Sequence, residues 1–269
     1  MKKIVALLLL AALVTLSLCA CSPKKVDSKT IIVAASSTPH AEILEQCVAA
    51  MAEKGYKLEI RVMGDYVIPN TATEEGEVTA NYFQHKPYLD DFNAKNGTHL
   101  VSVASIHYEP YGIYAGKVKA LADLPDGAKI AVPNDSTNEG RALQLLAANG
   151  LITLKEDAGL TATKRDIESN PHNYEIYEME AALIPDSLDD VDIGVINGNY
   201  AIEHGLKVSE ALAVEGKDSD AARLYANILV VKKGNEKNEG ILALIEVMRS
   251  DNIRDFINRT YDKSVIPMF

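Results

Sequence analysis

The chain has 269 residues, 47% of them apolar and 24% charged, enough to bury one large core or two small ones. Its 38 acidic and 27 basic side chains leave a formal charge of −11, which argues against nucleic acid as a partner, because phosphate backbones call for basic stripes. Only three cysteines occur, at 19, 21 and 47, so neither a disulfide framework nor a cysteine-based metal site is expected.

Lys2 and Lys3 precede an almost unbroken apolar run over residues 4–18. That run is shorter than the roughly 20 residues a membrane-spanning helix needs, and it ends in Leu18-Cys19-Ala20-Cys21 before polar Ser22. A positive start, an apolar middle and a small residue before the cut describe an export signal, here residues 1–20. The same four residues resemble the lipobox of bacterial lipoproteins, which makes Cys21 the lipid-modified N-terminus. Cys19 fits less well, because bulky Leu18 would stand just before the cut. Losing Lys2 and Lys3 with the signal takes the formal charge from −11 to −13. One acyl chain anchors weakly, and Lys24, Lys25 and Lys29 add attraction to an anionic membrane surface. Residues 21–28 read as a flexible tether, so the expected location is the cell membrane, lipid-anchored and facing away from the cytoplasm.

Residues 31–35 then form a short apolar run of strand length. Thr38-Pro39 predicts a helix start with Pro in the first turn. Ile43, Leu44, Cys47, Val48 and Met51 supply its apolar face, and Gly55 its stop. Cys47 on that face reads as a small buried hydrophobe. Leu58, Ile60 and Val62 alternate with polar neighbours, giving a strand–helix–strand unit with parallel pairing. A helix over 87–95 and a strand over 100–106 follow. The same grammar predicts a strand over 129–132, a helix over 137–149 closed by Gly150, and strands over 174–179 and 191–196. A short helix over 199–204, a strand over 224–231, and helices over 239–249 and 252–261 complete the chain. Alternating helices and strands along the whole length give an α/β fold class.

Three polar stretches invite a ligand. Residues 82–88 hold Tyr82, Phe83, His85 and Tyr88 at a helix entrance. Residues 132–141 leave a strand, gather capping side chains and place Arg141 in the first turns of a helix. Helix N-termini bind anions, and Arg can clamp a carboxylate through two parallel hydrogen bonds. Residues 195–200 put Asn197 and Asn199 at the carboxyl end of a strand, where α/β sheets receive ligands. Each stretch also reads as a capped turn or a piece of core. Residue chemistry alone implies an exported α/β protein with an anion-binding helix end.

Taken together, these stretches resemble the methionine-binding lipoproteins (the NlpA/MetQ family) of bacterial ABC importers. The matching segments are Thr38-Pro39-His40-Ala41-Glu42-Ile43-Leu44, Asp65-Tyr66-Val67-Ile68-Pro69-Asn70 and Gly76-Glu77-Val78-Thr79-Ala80-Asn81-Tyr82-Phe83-Gln84-His85. Pro133-Asn134-Asp135, Asn138-Glu139-Gly140-Arg141-Ala142-Leu143, Leu188-Asp189-Asp190-Val191-Asp192, residues 195–200 and Tyr225-Ala226-Asn227 continue the series. The resemblance implies a type II periplasmic-binding-protein-like fold, with two α/β lobes and a ligand cleft between them. Lobe I would comprise 29–112 plus 223–269, and lobe II 113–222. Tyr66, Phe83, His85 and Tyr88 would line the side-chain pocket, and Arg141, helped by Asn138, would pair with the ligand carboxylate. Asn197 and Asn227 would hydrogen-bond the ligand's other polar groups. The implied ligand is L-methionine, with D-methionine or a methionine-containing dipeptide as alternatives, and the implied partners are the permease and ATPase subunits of the importer. No cofactor or metal is implied. Thr79, Gly64 and Tyr111 depart from the family's usual residues, and Tyr111 is the one expected to alter the cleft.

Two other classes compete. A secreted hydrolase would need an activated nucleophile, yet there is no GxSxG elbow, and the six histidines show no HExxH spacing. A surface antigen without solute binding would have an empty or apolar cleft. A metal receptor would need converging histidines and carboxylates, and only His85 falls in a stretch expected to form a pocket.

Overall fold

A computed structural model describes residues 29–216 and 223–269. The expected export signal, the tether with Cys21, and residues 217–222 of the expected second lobe lie outside the described residues. Among the described residues, no helix is long and apolar enough to cross a membrane.

In chain order the principal elements are β1 (Thr30–Ala35), α1 (Glu42–Glu53), β2 (Lys57–Val62), α2 (Ile68–Glu75), β3 (Ala80–His85), α3 (Lys86–Asn96) and β4 (Leu100–Tyr108). They continue with β5 (Gly112–Ala115), β6 (Lys129–Pro133), α4 (Ser136–Ala148), β7 (Thr153–Leu154), β8 (Ile167–Ser169) and β9 (Glu175–Met179). The last are β10 (Ile193–Ile196), α5 (Gly198–Glu203), β11 (Ala213–Val214), β12 (Asn227–Lys232), α6 (Glu239–Met248), α7 (Asp251–Thr260) and β13 (Ile266–Pro267).

These strands form two main sheets and a small β7–β8 pair. The first runs β13-β4-β12-β3-β1-β2, and the second β11-β5-β10-β6-β9. As the strand–helix–strand opening predicts, β1 pairs with β2 in parallel, and β3 lies parallel on its other side. Strand β12 returns antiparallel between β3 and β4. The chain therefore passes from the first sheet to the second through residues 109–111 and returns to the first sheet at β12.

β1 reads as a continuous apolar run because both its faces are covered. Ile31, Val33 and Ala35 pack with Ile43, Leu44 and Met51 of α1 and Ile241 and Leu244 of α6. Ile32 and Ala34 meet Ala72 of α2 on the other face. In the second sheet, Ile130 and Val132 pack against Leu143 and Leu146 of α4, while Ala131 and Ile196 face Ile184 and Tyr200. Each large side chain sealed in this way contributes about 1.5–3 kcal/mol.

Several elements differ from expectation. Regular helix begins at Glu42 rather than at Thr38-Pro39, because Thr38 is extended (φ −134°, ψ 142°) inside a wide turn over Ser37–Ala41. Val48 and Val62 were expected to face the core, but they are 40% and 59% exposed, at the outer edge of α1 and the end of edge strand β2. Helix α2 and strand β3 were not anticipated. β3 is buried along its whole length yet carries Asn81, Gln84 and His85. Those amides are satisfied among themselves: Asn81 Nδ2 donates to Thr73 Oγ1 (2.7 Å) and Asn70 Oδ1 (3.0 Å), and Gln84 Nε2 to Asn70 Oδ1 (2.6 Å). A buried strand stabilised by amide networks carries no apolar alternation to read.

Candidate functional site

The carboxyl end of β3 delivers Phe83, Gln84 and His85, and α3 begins at the next residue. His85 caps that helix. Its Nδ1 accepts from the Tyr88 main-chain N–H (3.2 Å), so the neutral ring carries its proton on Nε2, which donates to Asn138 Oδ1 (3.2 Å). Asn227 opens β12 and lies opposite both His85 of β3 and His107 of β4. From the second sheet, β6 ends at Pro133, and Asp135 caps α4 by accepting from the Asn138 N–H (3.0 Å). That cap places Asn138 and Arg141 in the first turns of α4. β10 ends just before Asn197. Both sheets thus aim strand ends at one another, the arrangement in which α/β folds take ligands.

Between them lies a small hollow lined by residues of both sheets and of the loops that join them. The structure brings all eight expected residues, Tyr66, Phe83, His85, Tyr88, Asn138, Arg141, Asn197 and Asn227, to its walls. It adds four that sequence reasoning missed: Gln84, Glu109, Gly198 and Asn199. Asn199 and Gly198 lay inside a stretch already singled out. Glu109 carried no local signal beyond standing before Pro110 at a strand exit.

One end of the hollow is aromatic. Tyr66 sits 5.8 Å from both Phe83 and Tyr88, ring centre to ring centre. The Tyr88 hydroxyl donates to the Tyr66 carbonyl (2.9 Å), and the Tyr66 hydroxyl reaches across to Asn199 Oδ1 (2.5 Å). Such a cage suits a polarisable apolar side chain.

The other end is polar. The Arg141 guanidinium lies over Tyr225 (4.2 Å) and Tyr111 (4.7 Å). Its Nε donates to Glu215 (3.1 Å), and its Nη2 to both Glu215 Oε2 and the Glu109 carbonyl. Among the described residues Nη1 makes no hydrogen bond. Burial alone would lower the Arg141 pKa; the Glu215 carboxylate outweighs it and holds the guanidinium charged. Burial and the nearby Arg141 push His85 down to about 3, so its ring is neutral.

The three asparagines differ in what they leave free. Asn138 Nδ2 donates to both Asp135 oxygens (2.9 Å), and its Oδ1 accepts from His85 and from Asn197 Nδ2 (2.8 Å). Its amide is therefore used within the protein. Asn197 Oδ1 is buried with no partner among the described residues, as are Asn199 Nδ2 and the Tyr225 hydroxyl. Asn227 Oδ1 takes the His40 Nε2 proton (3.0 Å), which leaves Nδ2 as its spare group. Buried polar atoms without partners are rare in native folds, and two of these, on Asn197 and Asn199, belong to residues lining the hollow, which marks a place for a polar ligand.

Behind Asn227 stands a trio that the sequence did not bring together. His40, His107 and Glu109 are buried, with donor atoms within 4.8 Å of one another. Their contacts are those of a hydrogen-bonded chain: His107 Nε2 meets Glu109 Oε1 at 2.6 Å, and the Tyr82 hydroxyl meets His107 Nδ1.

With this geometry established, comparison with known proteins is decisive. The profile of the NlpA lipoprotein family matches residues 31–269. The chain belongs to the NlpA lipoprotein family. The methionine-binding lipoprotein MetQ of Bacillus subtilis is 42% identical over 245 residues, 89% of this chain and 88% of that protein. A nutrient binding protein from Burkholderia cenocepacia, solved bound to methionine, is 37% identical and superposes with a TM-score of 0.85 over 89% of this chain and all of that one. A periplasmic substrate-binding protein of an ABC transporter from Coxiella burnetii is 37% identical, with a TM-score of 0.83 over 88% of this chain and all of its own. The fold is therefore the expected type II periplasmic-binding-protein-like one, two α/β lobes with a cleft between them. Within this NlpA lipoprotein, Tyr111 lies outside the hollow's wall. It is fully buried beneath Arg141 and donates to the Asn138 carbonyl (3.3 Å). Thr79 Oγ1 accepts from the Ile32 N–H (3.0 Å), and the Gly64 carbonyl accepts from the Tyr200 hydroxyl (3.2 Å).

Proposed function

We propose that this protein is a lipid-anchored solute-binding protein that captures methionine outside the cytoplasm and hands it to the permease of an ABC importer powered by a cytosolic ATPase. The observation that carries the reading is the polarity of the hollow, with an aromatic cage at one end and Arg141 beside unpartnered polar atoms at the other. A zwitterion with a thioether side chain matches both ends. The likeness to a methionine-bound structure supports the same ligand, and likeness to ABC-transporter binding proteins supports the partner.

In this reading the Nη1 side of Arg141, not engaged by Glu215, receives the ligand carboxylate together with Asn227 Nδ2. Asn197 Oδ1 accepts from the ammonium. Tyr66, Phe83, Tyr88 and the His85 ring hold the side chain, and Asn138 orients His85 and Asn197. Lobe I comprises 29–112 plus 223–269 and lobe II 113–222, so the 109–111 crossing acts as a hinge. Bonds such as Tyr66 to Asn199 and Ser37 to Glu203 (2.6 Å) join the two lobes and make closure depend on what the cleft holds. Cys21 carries the lipid. No chemical step is part of this reading.

The test is mass spectrometry of the small molecule released from the purified mature chain, followed by calorimetry with L-methionine, D-methionine and a methionyl dipeptide. Tightest binding of L-methionine supports the proposal. A preference for the D-isomer or the dipeptide replaces the ligand, and binding of none of the three removes the proposal.

A further inference from the structure

The residues assigned above give the ligand carboxylate a cation, but its ammonium meets only neutral groups. The hollow itself holds one more charge. Glu109 lines its wall, on the crossing between β4 and β5, and is 6% exposed. We propose that the Glu109 carboxylate is the anionic partner of the ligand's ammonium, with His107 and Tyr82 as positioning residues that hold it there. This inference rests on the amino-acid reading of the site.

Four observations support it. First, among the described residues no charged side chain hydrogen-bonds the Glu109 carboxylate: His40 Nε2 lies 3.5 Å away, and Arg141 acts on it through space. His40 is pushed down to about 4 by burial and His107 to about 3, so both rings are neutral. Arg141 gives its hydrogen bonds to the Glu215 carboxylate and to the main-chain oxygen of Glu109, not to the Glu109 side chain. A buried carboxylate without a counter-charge is strongly unfavourable, and a ligand cation supplies one.

Second, the group is held by a directional chain. A carboxylate only accepts, so His107 carries its proton on Nε2 and donates it to Glu109 Oε1 (2.6 Å). Its bare Nδ1 then accepts from the Tyr82 hydroxyl. This is a neutral prop, which orients the carboxylate without neutralising it.

Third, the second lobe closes tightly on the same side chain. A Cβ at Gly198 would fall 2.5 Å from Glu109 Cβ and 2.9 Å from Oε2, and the nearby Asn199 main-chain N–H favours the ionised carboxylate. Fourth, the buried and unpartnered Asn197 Oδ1 stands in the same hollow, giving a three-donor ammonium a second acceptor. The oxygen of Asn227 already accepts from His40, so Asn197 Oδ1 is the acceptor left without a partner.

The test compares two ligands on the full mature chain by calorimetry: methionine, and 4-(methylthio)butanoate, which keeps the carboxylate and thioether but lacks the amino group. Glu109→Gln is expected to weaken methionine by about 100-fold, the scale for removing one partner of a buried charge pair, while leaving the des-amino analogue at wild-type affinity. Glu109→Asp, with the charge on a shorter stem, should recover part of the loss. His107→Phe and Tyr82→Phe should show the same ligand selectivity to a smaller degree, since an effect on folding alone would weaken both ligands together. Equal losses for the two ligands, or full methionine affinity in Glu109→Gln, overturns the inference. A wild-type chain that binds neither compound overturns the methionine reading itself, and this inference with it.

Discussion

Arg141→Ala is the substitution with the largest expected effect. In the folded protein the guanidinium is pinned between the Tyr225 and Tyr111 rings and bonded to Glu215 through Nε and Nη2. Its removal deprives two carboxylates of a cation, that of the ligand and that of Glu215. Truncating one partner of a buried, hydrogen-bonded charge pair weakens binding by about 2–5 kcal/mol, which is roughly 30-fold to several thousand-fold at about 1.4 kcal/mol per decade. The unpaired Glu215, which also accepts from the Tyr108 hydroxyl (2.6 Å), lowers stability as well, by about 3–5 kcal/mol where burial is complete. Calorimetry with methionine and thermal melting of the ligand-free chain separate the two effects. Glu215→Gln supplies the control: it removes the internal pair but leaves the guanidinium, so melting falls while methionine affinity stays near wild type. Arg141→Ala that binds methionine as tightly as the parent would refute the reasoning, as would a Glu215→Gln variant that loses binding as fully as Arg141→Ala.

Three further outcomes follow from the site. Asn227→Ala removes a spare donor and strands the His40 Nε2 proton, so methionine affinity should fall by about 1–3 kcal/mol, read by calorimetry; unchanged affinity would take Asn227 out of the site. Gly198→Ala drives a methyl group into Glu109, and should weaken methionine about 5- to 150-fold, the scale of a forced shift of about 1–3 kcal/mol, with a wild-type result showing that the two lobes do not close on Glu109. Affinity should also fall with acidity. Burial raises the Glu109 pKa above its ordinary value, and a bound ammonium favours the ionised form, so binding weakens as the pH falls and the carboxylate protonates. His40, His85 and His107 stay neutral until about pH 4 or below, and Tyr82, pushed further up by burial, stays protonated throughout. Arg141 stays charged. A calorimetric series from pH 8 to pH 5 in which affinity rises on acidification contradicts this sign.

What the sequence disclosed depended on whether a signal was local. The α4 helix was legible because Asp135, the apolar positions and Gly150 all agree within one short stretch. For residues 134–141 the capped turn and the proposed ligand role do not compete: Asp135 caps the helix, and the cap places Asn138 and Arg141 at the hollow. β3 was illegible because its polar side chains are buried against one another, a fact of tertiary packing. Glu109 and Glu215 were missed for a related reason. An acidic residue carries no mark of burial in its neighbours, and their significance arises only where two distant strand ends meet Arg141. Resemblance placed eight side chains on the walls; only the coordinates distinguish Asn138, whose amide is used internally, from Asn197, whose oxygen is not.

A crystal structure of the mature chain grown with L-methionine tests the central claim most directly. The account predicts the ligand carboxylate at the Nη1 side of Arg141, its ammonium between Glu109 and Asn197, and its thioether among Tyr66, Phe83 and Tyr88. Methionine bound with its side chain toward Arg141, or a cleft occupied by a molecule without a carboxylate there, would contradict it.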